Sequence, residues 1–399
     1  MCRRWGLVIL IGIICFGSNA SAITWKEAVG LAEKNNFEIK SAVKQVESYD
    51  WSLKKSYSTF LPQLSASSSI ATGSTGASYS FSATQNIFKG MDDFYGVDAA
   101  AVDLAYQKAN LAATKANVLY DVRSAFVGLL IAQENIKLLE AILAQRSDDA
   151  ELIQLLYDSG KEDKGNLMQT RAEEAKARYD LLSARRDMRL AQAKITNLLI
   201  SEVNIADAPM SFSKPEQTDV DKLVKETPAY TMAELTLKSA DIASSRTISG
   251  FLPDLSLRGS YGNSGAGSAA SSSLSLNLSY NFYPGGSNFA DSGIYETRLA
   301  KAKEDYAKSL QDIGYSIEEA RENYLNVLDL LDVGKLSMAA AGERAQIAKS
   351  KYLNGLMSYD EWVRIENDHV SARKQMLSFQ RSAFLAEALM YKTNGGWVR

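Results

Sequence analysis

Cysteine, histidine and proline are all scarce in this chain of 399 residues, which has two Cys, one His and six Pro. Both cysteines, Cys2 and Cys15, fall within a segment laid out like a secretory leader. Arg3 and Arg4 precede an apolar run from Leu7 to Phe16, and small residues close it at Ala20-Ser21-Ala22. Loss of residues 1–22 is expected. It would leave no cysteine, which excludes a disulfide scaffold, a cysteine nucleophile and a thiolate zinc site. The run is too short to span a bilayer, and Ile14 stands before Cys15 where a lipid-anchor signal needs a small residue. No later stretch of about 18 apolar residues predicts a transmembrane helix. His369 has no second imidazole to share a metal or activate a nucleophile, so no catalytic residue, metal or cofactor is expected. The formal charge of −3, more negative still without Arg3 and Arg4, argues against nucleic acid as a partner. The chain reads as exported, and as either soluble or embedded in a membrane by strands.

The dominant feature is an internal duplication. Phe60-Leu61-Pro62-Gln63-Leu64-Ser65 returns 191 residues later as Phe251-Leu252-Pro253-Asp254-Leu255-Ser256. Asn86-Ile87-Phe88-Lys89-Gly90 is echoed at an offset of 195 by Asn281-Phe282-Tyr283-Pro284-Gly285, and Tyr157-Asp158-Ser159-Gly160 at the same offset by Tyr352-Leu353-Asn354-Gly355. The reading is a first repeat over 23–206, a linker over 207–219 marked by Pro209 and Pro215, and a second repeat over 220–399. Each repeat is predicted as helix, two strands, long helix, turn and return helix. The opening helices are expected over 24–59 and 219–249, the latter interrupted near Pro228, and each stops ahead of a Leu-Pro pair.

Strands are predicted over 62–71, 78–88, 253–262 and 273–283. Leu64, Ala66 and Ile70 alternate with serines, as do Tyr79, Phe81, Ala83 and Ile87 in the next strand. Leu255, Leu257 and Tyr261, then Leu274, Leu276, Leu278, Tyr280 and Phe282, repeat the pattern. Apolar residues out and small polar ones in, over about ten residues, is the pattern of outer-membrane strands. A soluble half-buried hairpin has the same period. The opposite face, with Ser80, Ser82, Arg258 and Asn277 on it, is nearly all Ser and Asn, which suits a water-filled lumen.

Val118, Val122, Ala125, Leu129, Ala132, Ile136, Leu139 and Leu143 form a heptad row, matched by Ile313, Ile317, Ala320, Tyr324, Val327 and Leu331. Helices are expected from Asp92 to Tyr157 and from Ser287 to Tyr352, each about 100 Å long. They turn near Gly160 and Gly355 and return to about Ile200 and Tyr391. Four strands cannot lie open in hydrocarbon, where each unpaired backbone group costs several kcal/mol. Closure needs at least about eight strands. Serine-lined faces cannot fill so narrow a barrel, so three chains are preferred to two.

Taken together, the duplication, the Leu-Pro-x-Leu segments at Leu61–Leu64 and Leu252–Leu255, and the run Gly355-Leu356-Met357-Ser358-Tyr359-Asp360-Glu361 after the second turn resemble the outer-membrane efflux proteins, the TolC-like channel-tunnels. The resemblance covers the whole chain after the leader. It implies a mainly α fold with a small β part. Long antiparallel helical hairpins would form an α-barrel, and four strands per chain would contribute to a trimeric twelve-stranded membrane β-barrel. It also implies a homotrimer in outer-membrane lipid with its helical part in the periplasm, a periplasmic adaptor and an inner-membrane transporter as partners, and export without chemistry, for efflux or type I secretion. Candidate adaptor contacts at the two turns are Tyr157, Gly160, Asp163, Leu167, Tyr352, Gly355, Leu356, Ser358 and Glu361. Many family members narrow the periplasmic mouth with acids ahead of the second glycine. Here Gln346 and Lys349 stand in that window, and Asp148, Asp149, Glu151 and Asp158 precede the first turn as alternative aperture residues. An exported coiled-coil structural or binding protein without a conduit is the competing reading.

Overall fold

A computed structural model of the chain describes residues 22–70, 77–209, 211–215, 219–263 and 268–395. The leader read over 1–22 lies outside these residues except for Ala22, as do parts of both Gly/Ser-rich loops and of the linker.

The chain enters as a two-residue strand, β1 (Ile23–Thr24), and passes into α1 (Trp25–Asn35) and α2 (Phe37–Ser56). One continuous helix was expected here. Asn36 breaks it, because its backbone turns out of the helix (ψ 132°) and its side chain accepts from Glu38 N at 2.8 Å and Ile39 N at 3.3 Å, capping α2. The same side chain donates to the Leu198 carbonyl at 3.2 Å, which ties the break to the return helix. A short 3₁₀ turn, Tyr57–Phe60, leads through an extended Leu61 into β2 (Gln63–Ser69) and β3 (Ser78–Lys89). Then come α3 (Asp92–Asp158), the return helix α4 (Lys164–Leu199) and the short β4 (Ala206–Asp207).

The second repeat follows the same order with α5 (Val220–Glu226), α6 (Pro228–Arg246), a 3₁₀ turn, β5 (Asp254–Asn263), β6 (Ser271–Ser279), α7 (Ser287–Leu353) and α8 (Tyr359–Thr393). Thr227 caps α6 by accepting from Tyr230 N at 3.1 Å. It stands 191 residues after Asn36, so both opening helices break at the same place; only the second break carries a proline to announce it.

α3 and α7 have 67 residues each, about 100 Å of helix. Their expected heptad rows face inward: Val118, Val122, Ala125, Leu129 and Leu139 are buried in α3, and Ile317, Ala320, Tyr324 and Leu331 in α7. The largest core gathers Val122, Phe126 and Leu129 of α3 with Ala28 and Ala32 of α1, Ile195 and Leu199 of α4 and Phe384 of α8. The segment read as a linker is strapped to this core at its start. β4 pairs in parallel with β1, Gln133 bonds both the N–H and the carbonyl of Ala206, and Phe212 packs edge-on against Phe384 at 4.6 Å.

The four longer strands form one antiparallel sheet in the order β2-β3-β5-β6, one hairpin from each repeat. Two expectations need correction. β6 ends at Ser279, where Asp254 is its last partner, and not at 283; Tyr280 and Phe282 run past the start of β5 and find no ladder. A bulge between Asn86 and Phe88 places Phe88, and not Ile87, opposite Leu255, so the apolar row passes from Ala83 to Phe88. Among the described residues no helix is long and apolar enough to cross a membrane.

Asn36→Ala removes the α2 cap and the bond to Leu198. It is expected to cost about 1–2 kcal/mol, read as a lower denaturation midpoint of the detergent-solubilised protein; an unchanged midpoint would show that the break needs no cap.

Candidate functional site: the polar sheet face and the hairpin tips

Strand register sorts the sheet into two unlike faces. Ser82 stands opposite Ser65 and Ser260, Ser260 opposite Ser273, and Ser80 opposite Ser67. Thr84, Arg258 and Ser275 form the next row, and Asn86, Ser256 and Asn277 the one beyond. All four residues expected on a lumen, Ser80, Ser82, Arg258 and Asn277, thus share one face. The hydroxyls there bond to one another across strands: Ser65 to Ser82 at 2.7 Å, Ser69 to Ser78 at 2.8 Å and Ser260 to Ser273 at 2.8 Å. The other face holds Leu64, Ala66, Phe81, Ala83, Leu257, Tyr261, Leu274, Leu276 and Leu278. None of the described residues covers it: Leu64 is 80% exposed and Leu274 76%. Bare leucines at this density suit hydrocarbon and not water.

The two hairpin tips are built alike. Gly160 and Gly355 adopt φ of +73° and +71°, where a Cβ is strained although open space surrounds both. Lys161 N donates to the Leu156 carbonyl and Leu356 N to the Lys351 carbonyl, each at 2.8 Å, and these bonds satisfy the last orphan carbonyls of α3 and α7. Asp163 then caps α4 by accepting from Asn166 N at 2.9 Å, and Ser358 caps α8 by accepting from Glu361 N at 3.3 Å. Of the nine expected contact residues, Tyr157, Gly160, Asp163, Gly355, Leu356, Ser358 and Glu361 are exposed at these ends. Leu167 and Tyr352 are instead buried, in a cluster with Ile153, Tyr359 and Trp362, and hold the tip together from inside.

That cluster fastens the first hairpin to the second. Tyr352 stacks on Trp362 at 4.6 Å with an interplanar angle of 7°, and its hydroxyl donates to Glu162 at 2.6 Å. The hydroxyls of Thr170 and Tyr359 meet at 2.6 Å. Burial, and then the Glu162 carboxylate, push the Tyr352 phenol well above its ordinary range, so it stays a donor. One level further along, Lys349 donates to Asp149 at 3.0 Å, Arg146 to Asn367 at 2.6 Å, and Gln145 to Glu366. Two residues assigned to an aperture, Asp149 and Lys349, therefore pair with each other. Asp149 is only 1% exposed and presents no charge to solvent, because a neighbouring helix pair covers it. Asp148, Glu151 and Gln346 are exposed, and Asp158 accepts from Gln154 at 2.8 Å.

Glu162 and Glu366 were not singled out from sequence. For Glu366 a signal existed: Tyr359, Trp362, Val363 and Glu366 share one helical face, and an acid there is out of place.

A sequence profile described as outer membrane efflux protein matches residues 28–199 and 220–396. The chain belongs to the outer membrane efflux protein family. Across the family, the outer membrane efflux protein BepC of Brucella suis biovar 1 is 22% identical over 97% of this chain and 89% of its own length. The fold is similar to that of CusC, described with its transmembrane channel formation, at a TM-score of 0.84 with 17% identity over 94% of this chain and 92% of CusC. The Campylobacter jejuni CmeC outer membrane channel superposes at a TM-score of 0.80, with 17% identity over 93% of this chain and 85% of CmeC. Family and fold are those of outer-membrane channel proteins, which places the chain in the outer membrane.

Burial first, and then neighbouring Asp149, raise the Glu366 carboxyl above its ordinary range. A carboxyl raised by folding holds its proton more tightly in the folded chain. Stability is thus lost as pH rises from the ordinary carboxylate value through the raised one. The tip is expected to melt at higher temperature at mildly acidic pH than at neutral pH, with Glu366→Gln flattening that dependence in melts followed by circular dichroism. A variant profile that parallels the native one would contradict this.

Proposed function

We propose that the protein is a passive export conduit: three copies close their sheets into one twelve-stranded barrel in the outer membrane, and their helical hairpins enclose a tunnel that extends into the periplasm. The carrying observation is the four-stranded sheet with two open edges, β2 and β6, and an uncovered apolar face. An edge of seven to nine residues left unpaired in hydrocarbon costs tens of kcal/mol in total. Pairing β2 of one copy with β6 of the next removes both edges. Three copies rather than two suit the polar face, because serine and asparagine side chains are too small to fill an eight-stranded interior. The uncovered apolar face also speaks against a soluble coiled-coil rod, which would leave those leucines in water.

Nothing in such a conduit performs chemistry; energy and cargo selection would come from an inner-membrane transporter, linked through a periplasmic adaptor. The tips support that role. Leu356, 76% exposed, and Tyr157 stand beside the two glycine turns and offer apolar anchors at the far end of the helices. Tripartite efflux fits the family best, and type I secretion would use the same geometry.

The protein is expected to require detergent for extraction, to migrate as a heat-sensitive species of about three chains, and to conduct ions in planar bilayers. A monomer that stays soluble without detergent would overturn the reading. Leu356→Asp is expected to lower adaptor binding by about thirtyfold, the level of a typical interface anchor, while leaving the heat-sensitive species intact. Cross-linking of tip to adaptor at native efficiency would remove Leu356 from the contact.

A further inference from the structure

The membrane sheet is almost free of charge. From Pro62 to Phe88 the sequence has no Asp, Glu, Lys or Arg, and from Leu255 to Tyr283 it has only Arg258. Charges at the base of the sheet are matched. Lys89 stands opposite Asp254 in the ladder and reaches Asp92 at 3.2 Å, and Asp92 also receives Arg246 at 2.6 Å. Arg258 has no acidic partner among the described residues. It lies midway along β5 with Thr84 of β3 on one side and Ser275 of β6 on the other, exposed on the face it shares with Ser256 and Ser260. The nearest charges on that face, Lys89 and Asp254 at the base, stand opposite each other, so Arg258 is hard to assign to stability: among the described residues it forms no ion pair.

We infer that Arg258 is a selectivity element that makes the outer-membrane section of the conduit favour anionic solutes. This rests on the trimeric barrel proposed above, in which three copies of Arg258 stand at one height of the wall. Twelve strands about 4.8 Å apart and tilted about 40° enclose a cylinder of roughly 12 Å backbone radius. The side chains point inward, so each guanidinium comes within about one Debye length of the axis, ~8–10 Å at ordinary ionic strength. Salt therefore leaves a positive potential across the whole lumen, and the low-dielectric wall focuses it. Guanidinium stays charged at any physiological pH, so the preference does not titrate. Solutes carrying carboxylate, phosphate or sulfonate groups are the class favoured, and cations are disfavoured at the same level.

The test uses Thr84→Cys as a reporter directly across the ladder from Arg258, in the full chain in intact cells, where Cys2 and Cys15 lie in the expected leader. Reaction rates are measured with two membrane-impermeant methanethiosulfonates of similar size, one bearing a sulfonate and one a quaternary ammonium. The ratio of anionic to cationic rate is expected to fall about tenfold on Arg258→Ser, the lower end for a focusing cleft. Arg258→Lys should restore the ratio and Arg258→Glu should lower it further. An equal ratio with Arg258 and with Arg258→Ser would overturn the assignment while leaving the conduit standing. Failure of both reagents to reach Thr84→Cys in assembled, heat-sensitive protein would overturn the water-filled barrel itself, and the assignment with it.

Discussion

A backbone amide in hydrocarbon must find a partner within the protein, and this single requirement organises the rest of the structure. Each repeat contributes one hairpin, and the two hairpins join through β3 and β5, which still leaves β2 and β6 with bare outer edges. Water would satisfy those edges, but the leucines and aromatics on the outer face belong in lipid. The duplication thus halves the problem without solving it, and the association with sister chains proposed above would complete the sheet. The long helices bury their heptad rows within the chain's own hairpins, and in the proposed trimer those hairpins would hang side by side from the shared barrel for about 100 Å.

Much of this architecture was legible in the residues. Glycine at 160 and 355 marked the turns, Pro62 and Pro253 marked the passage from helix to strand, and period-two alternation located the sheet. What escaped has physical causes. Asparagine is tolerated inside helices, so the break at Asn36 showed only once its capping bonds were seen, although Thr227-Pro228 sits at the matching place in the other repeat. Strand length depends on the partner as much as on the strand. The alternation through Tyr280 and Phe282 continues, but β5 has already begun at Asp254 and offers nothing to bond. At Ile87 a bulge shifts the register, which alternation alone cannot show.

The geometry of the tips was legible where single residues carry it and hidden where two hairpins meet. Turn glycines are local and stand where they were expected, while the capping by Asp163 and Ser358 showed only in the structure. The bonds of Tyr352 to Glu162 and of Lys349 to Asp149 join residues 190 and 200 positions apart. Nothing in either stretch alone says that a charge will be covered. The result changes the chemistry of the tip: Asp149, one of the four acids read at the mouth, is withdrawn into a polar seam between hairpins, next to the Tyr352–Trp362 stack, while Asp148, Glu151 and Asp158 stay exposed.

The serine rows of the sheet have a consequence of their own. Hydroxyls that bond in pairs across strands, as Ser65 does with Ser82 and Ser260 with Ser273, satisfy one donor of each pair within the sheet and keep the other donor and several lone pairs for water. A molecule passing over such a face would meet short side chains whose remaining donors and acceptors exchange readily with water. In the proposed conduit, such a wall would be slippery, and cargo of very different outlines would slide along it without lodging.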